Sequence, residues 1–433
     1  MQAWGARLVR WCWSFATMVL VLVVVLALGA TGCRQTGGSS GARILKLGVM
    51  GPFTGPSSRL GEEFKGAVTM AFDEVGWRIG DYKVEIVWID SQSDPEKAAR
   101  AYEDAVVRDG IQAGLLNWHS STGVACMEIV AKHKIPHFFG MAATDVIDQK
   151  YHSDPKYHYW MAKGWPTPSK LTVAYVSTLE DAISRGLWQP RSKTAVICAE
   201  DTDWGRSFAR SLAGQLEEAG WRVLKTEFFK LGETDFYPLL TGIRALAPAV
   251  CASSVTSAQS FSALVKQARE IRLNSLMICD GLGWIGEWYQ LTGDASDYVL
   301  DQIPQWTTAR AQEFRSQFKQ RWGFEPSPST AGLAYDHTRH FIALAQETIQ
   351  LYGKLDSETL FKAGQELLCQ GKAPYSDGII MKRYQYTPET VPDPVVGKDD
   401  FIFPVIQYKG GKGKIIWPEE WKEGDLEIPD FLR

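Results

Sequence analysis

The segment 117–122 reads Asn-Trp-His-Ser-Ser-Thr and sets an imidazole beside three hydroxyls, directly after the apolar run 111–116. Two kinds of chemistry use such groups. A histidine can serve as general base to a serine nucleophile, or the hydroxyls can offer hydrogen bonds to a bound molecule. A nucleophile–base pair needs a third orienting group and is assembled from distant segments, which sequence neighbours do not supply. The Gly-x-Ser-x-Gly spacing of a nucleophile elbow is also missing around Ser120 and Ser121. Capture fits better. Ser120, Ser121 and Thr122 fall where a strand hands over to a helix, so unpaired backbone N–H groups and capping hydroxyls collect at one point and favour a carboxylate or carbonyl. Residues 141–145, Met-Ala-Ala-Thr-Asp, repeat the arrangement with Thr144 as the hydroxyl. Asp280 ends the apolar run 276–279 with an acceptor suited to an ammonium or amide N–H, and Trp204 can close over an apolar part.

Other chemistries lack their residues. No Gly-x-Gly-x-x-Gly follows a strand, and the Gly-rich stretch 51–61 lacks the lysine and spacing of a P-loop. His152 and His158 stand six apart, which does not suit a helical metal pair. Beyond residue 33 the cysteines are Cys126, Cys198, Cys251, Cys279 and Cys369, without Cys-x-x-Cys spacing. An odd number cannot all pair within one chain, and those in apolar runs read as small hydrophobes. The expectation is therefore no catalytic residue, no metal and no cofactor. A net charge of −4 with interspersed signs gives no reason to expect nucleic acid.

The elements that would position these groups alternate. Strands are expected over 44–53, 82–95, 111–118 and 135–145, with helices over 61–76, 95–110 and 122–134 between them. The alternation restarts with a strand at 193–205 and continues to Asp280. Beyond Trp306 the chain reads as helices at 309–323, 329–353 and 356–368, then as extended segments at 377–386 and 401–421. Two successive βαβα runs predict an α/β fold of two lobes, each a parallel sheet covered by helices on both faces. Ligands of such sheets bind outside the carboxyl ends of the strands, and the polar segments above occupy those ends.

The N-terminus reads differently. Arg7 and Arg10 precede the uncharged apolar run 15–30, which ends in small residues before Cys33. That pattern describes a secretory signal over 1–32. With a cysteine at the cut it resembles the lipobox of bacterial lipoproteins, which implies a lipidated Cys33 as the new N-terminus. Residues 33–43 have the composition of a flexible tether. About 400 residues remain, too many for one ordinary core and enough for two.

The segments 47–67, 90–110, 232–246 and 314–336, with the closing stretch 413–421, in this order resemble the solute-binding proteins of branched-chain amino-acid, amide and urea ABC transporters, which have the type I periplasmic-binding fold. The resemblance implies two lobes, 44–160 with 306–380 and 161–305 with 381–433. They would be joined by crossovers near 160–163, 302–306 and 379–386 that act as a multi-segment hinge. It places ligand contacts at Trp118, His119, Ser120 and Ser121. His119 aligns with the family's carboxylate-binding serine. Ala142, Ala143 and Thr144 keep the family's Ala-Ala-Thr pattern, Asp280 replaces its ammonium-binding glutamate, Trp204 its closing tyrosine and Leu60 an aromatic of the first loop. The implied function is an extracytoplasmic, lipid-anchored receptor. It would capture an amino acid or related small carboxylate or amide and present it to ABC permease subunits in the membrane. A sensor of the same fold feeding a regulator is the alternative.

Overall fold

A computed structural model describes residues 43–432. The expected signal segment 1–32, Cys33 and the tether up to residue 42 lie outside the described residues. Arg43, expected as the end of the tether, already belongs to the first strand.

The first sheet has the order β2-β3-β1-β4-β5, built from β1 (Arg43–Gly51), β2 (Arg78–Ile79), β3 (Tyr82–Asp90), β4 (Ala113–Leu115) and β5 (His137–Phe138). β1, β4 and β5 run parallel, and β2 pairs antiparallel with β3. Helices α1 (Ser58–Glu74), α2 (Pro95–Asp104) and α3 (Ser120–His133) connect these strands, and α4 (Asp145–Ser153) follows β5. In α1, Leu60, Phe64, Ala67, Val68, Ala71 and Phe72 are all buried, the i, i+4, i+7, i+8 rhythm that puts one face of a helix against a sheet.

After α5 (Val173–Ser184) the second sheet is formed by β6 (Thr194–Glu200), β7 (Arg222–Phe229), β8 (Val250–Ser254), β9 (Leu276–Asp280), β10 (Leu300–Gln302), β11 (Val405–Lys409) and β12 (Lys412–Trp417). Its order is β12-β11-β10-β9-β8-β6-β7. The pairs from β7 through β10 are parallel, and β11 and β12 add an antiparallel edge. β6, β8 and β9 are buried along their whole length, as strands covered on both faces must be. Helices α6 (Asp203–Glu218), α7 (Tyr237–Leu246) and α8 (Ala258–Glu270) lie between these strands. α9 (Ala309–Trp322), α10 (Leu333–Tyr352) and α11 (Ser357–Ala363) come after β10, and α9 and α10 both pack against α1. Both sheets belong to one packed unit, Ile44–Arg433.

Two expectations on local structure change. β4 and β5 are shorter than the apolar runs suggest, because Leu116 and Phe139 take φ of 58° and 52°. These left-handed residues turn the chain out of the sheet where the polar loops begin. The segment 377–386, expected to be extended, contains no strand beyond the single bridge Tyr375–Tyr384. It is held instead by the buried Asp336 carboxylate, which accepts from Ile379 N, Ile380 N and the Tyr384 hydroxyl. The five cysteines are free and buried.

Candidate functional site

The loops after five strands of the two sheets meet in one pocket. Four indoles form most of its wall: Trp118 after β4, Trp165 on the crossover, Trp204 at the start of α6 and Trp284 after β9. His119, Ser120 and Met141 complete the first-sheet side, Thr202 and Thr256 the second. The cavity is about 30 Å³.

Local geometry accounts for each wall residue. Trp118 and His119 sit on the turn into α3, whose first residue is Ser120. A buried amide fixes that turn: Asn117 Nδ2 donates to the His119 carbonyl at 2.9 Å, and Asn117 Oδ1 accepts from Ala142 N at 3.0 Å. One side chain thus ties together the two polar loops of the first sheet. On the second sheet, Thr202 caps α6 by accepting from Gly205 N. A Cβ on Gly205 would stand 2.1 Å from the Glu200 carbonyl, so only glycine lets α6 start this close to β6 and bring Trp204 inward. Trp204 Nε1 donates to Ser254 Oγ at 2.7 Å, which sets the ring. Gly281 takes a φ of 112°, turning the chain after β9 into the helical turn Leu282–Trp284 that carries the fourth indole.

The rings touch one another. Trp118, Trp165 and Trp284 lie 5.3–6.5 Å apart with interplanar angles of 77–85°. Trp204 stands 6.4 Å from Trp165 and 6.0 Å from Trp284. The indole N–H groups of Trp118, Trp165 and Trp284 are buried and have no partner among the described residues.

Electrostatically the wall is neutral. Burial pushes the His119 imidazole down to about 4, so it is uncharged at neutral pH. Its Nε2 lies 3.2 Å from Ser57 Oγ, and Ser57 Oγ donates to the Thr256 carbonyl across the cleft. The serine proton goes to that carbonyl, so Nε2–H must donate to the serine, leaving Nδ1 as an unpaired acceptor. Behind the second-sheet wall stand three buried carboxyls. Glu200 accepts from Thr256 N at 3.0 Å and from the Thr256 hydroxyl, and burial raises it to about 7. Asp301 accepts from Gly281 N, Gly283 N and the Tyr408 hydroxyl, and burial raises it to about 6. Asp280 accepts from the Tyr175 hydroxyl at 2.9 Å, and burial followed by the nearby Asp301 charge holds it well above the usual carboxylate range.

Of the residues singled out in the sequence, Trp118, His119, Ser120 and Trp204 come together in the pocket. The others lie elsewhere. Ser121 Oγ accepts from Asp203 N and bridges α3 to α6. Ala142 N is bonded to Asn117 and Ala143 N to Ser120 Oγ at 3.1 Å. Thr144 caps α4 and pairs with Ser207 Oγ at 2.8 Å. Leu60 is buried in the core under α1, and Asp280 stands behind the wall. Sequence reasoning passed over Met141, Trp165, Thr202, Thr256 and Trp284 as individual residues. Met141 lies in the polar segment 141–145 and Thr202, Thr256 and Trp284 in the loops after β6, β8 and β9, whereas Trp165 lies just past a predicted crossover. Among the described residues no cluster of His, Cys, Asp and Glu could hold a metal ion, and no helix is long and apolar enough to cross a membrane.

This arrangement can enclose a small molecule. His119 faces Ser57 rather than Ser120, and no carboxylate orients its other nitrogen.

Comparison with known proteins agrees with this geometry. A family model described as periplasmic binding protein matches residues 44–377. The Leu/Ile/Val-binding protein homolog 6 of Brucella abortus is 26% identical over 204 residues, 47% of this chain and 48% of that protein, so the chain spans about half the length of this relative. A putative branched-chain amino acid ABC transporter protein from Silicibacter pomeroyi superposes with a TM-score of 0.72 at 18% identity, covering 89% of this chain and 99% of that one. A solute binding protein of an ABC transporter from Rhodopseudomonas palustris BisB5, solved with 3,4-dihydroxybenzoic acid, superposes with a TM-score of 0.69 at 18% identity, covering 86% and 95%.

Proposed function

Since the chain belongs to the periplasmic binding protein family, we propose that it is an extracytoplasmic solute-binding receptor of an ABC importer. It captures an amino acid or a related small carboxylate or amide between two lobes. One observation carries this reading: the pocket wall is assembled from the carboxyl ends of strands in both sheets, where open parallel sheets bind ligands. The lobes are 44–160 with 306–380 and 161–305 with 381–433, and parting them exposes the pocket. A lipidated Cys33 after cleavage of 1–32 would hold the receptor at the membrane, and permease subunits would receive the closed, loaded form. Closure is selected by how much better the ligand binds the closed state than the open one. The aromatic acid bound by the R. palustris protein supports testing aromatic carboxylates beside aliphatic amino acids.

The test is a thermal-shift screen of amino acids, short amides and aromatic acids. A true ligand at a hundredfold excess over Kd stabilises the protein by about 2.7 kcal/mol, a shift of a few degrees in Tm. A screen in which no solute of any of these classes moves Tm defeats the receptor reading.

A further inference from the structure

Building on the receptor reading, we propose that the pocket selects a solute carrying both an alkylated ammonium and a carboxylate, the class of N-methylated amino acids and betaines. A primary amino acid presents three N–H donors, and Asp280 is the acceptor that the family resemblance assigns to them. Asp280 stands where that acceptor is expected, yet it lies behind the wall, bonded to the Tyr175 hydroxyl. No Lys, Arg, Asp or Glu lines the pocket. Indoles do, and three of them stand nearly at right angles to one another.

An alkylated ammonium has no N–H groups, or only one or two, to satisfy. Its charge is held by the negative faces of aromatic rings, tryptophan being the strongest. The carboxylate end also finds donors. Ser120 Oγ and Thr202 Oγ1 each accept a backbone N–H, which leaves their own O–H to donate. The indole N–H groups of Trp118, Trp165 and Trp284 are buried without a partner and become available to the carboxylate only as the rings move apart. A cavity of about 30 Å³ admits one water, so a guest must replace indole–indole contacts as the lobes part and close again.

Titration calorimetry on the full-length chain tests this with two probes of one shape. N,N,N-trimethylglycine and 3,3-dimethylbutanoate differ by a positive nitrogen in place of a carbon. Trimethylglycine is expected to bind at least about tenfold tighter. Trp118→Leu should shrink that ratio, and Trp118→Phe, which restores a ring face, should recover most of it, each variant being checked for an unchanged melting profile. Equal or reversed affinities, or leucine outcompeting trimethylglycine, would overturn the proposal. If trimethylglycine does not bind, the ligand class is wrong; whether leucine, benzoate or acetamide then binds decides if the receptor reading falls with it.

Discussion

Glu63 shows what a single buried group does to this molecule. Its side chain is fully buried in α1, where Oε2 accepts from Ser327 N at 2.9 Å and Ala331 N at 3.2 Å. Burial raises it from 4.5 to about 8, against the pull of Arg59. Between those values the folded chain holds a proton that the unfolded chain has lost. Its stabilising contribution is therefore complete below about pH 4.5 and declines as pH rises to about 8, by up to about 1.4 kcal/mol per unit. Glu63→Gln keeps an acceptor for both N–H groups and cannot ionise. The difference in urea-unfolding free energy between wild type and E63Q should be small at pH 5 and favour E63Q at pH 8; a difference independent of pH would refute the assignment. Asn117 supports a second expectation. Asn117→Leu removes the amide that links residues 119 and 142, leaving Ala142 N without its acceptor. Loss of a buried bond of this kind costs about 1–3 kcal/mol, read as a lower Tm, together with weaker ligand binding because Trp118 and His119 lose their support.

Among the elements, the parallel strands and their helices were legible because their patterns are long. The buried face of α1 repeats at helical spacing, and the fully buried β6, β8 and β9 are short, mostly apolar runs that end in polar residues. The loops after the strands were legible as places, since topology alone puts polar strand ends at a ligand site. Their side chains were not. Trp165 follows a crossover with no periodicity to mark it, and whether Asp280 faces the cleft or Tyr175 depends on which neighbour is close in space. For the segments expected as crossovers near residues 160–163 and 379–386, the sequence does not show what holds them. Lys163 is completely buried and meets Asp148 and Asp393 at 2.5 Å each, while Asp393 also accepts from Thr167 N and pairs with Lys170 at 2.8 Å. Removing one partner of a buried ion pair strands the other charge. Asp393→Ala should therefore cost about 3–5 kcal/mol, measured by urea unfolding, whereas a loss under 1 kcal/mol would mean that Asp148 alone balances the lysine.

For the whole molecule, the question is what holds the cleft shut around so small a cavity. Contacts across it fall into two groups. Some touch the pocket wall, such as Ser57 Oγ donating to the Thr256 carbonyl. Others lie away from it, and the strongest of these centres on Arg59. Its Nη2 reaches both carboxylate oxygens of Glu287 at 2.7 Å, and its guanidinium lies 3.6 Å over the Phe324 ring. Arg59 belongs to α1 and Glu287 to the chain after β9, in different lobes of the proposed receptor, so the pair is expected to form only when those lobes are together. Glu287 does not line the pocket. Weakening the pair should thus reduce the fraction of molecules in the closed form without changing what a ligand meets there. Apparent affinity scales with that fraction while it is small. For a half-buried pair worth about 1 kcal/mol, Glu287→Gln should raise Kd roughly fivefold for every ligand alike, whereas Trp118→Leu should change the order of ligands. Calorimetry with two chemically unlike ligands separates these effects. A constant ratio of their Kd values in E287Q supports a closure latch, and a changed ratio would place Glu287 in the recognition surface instead.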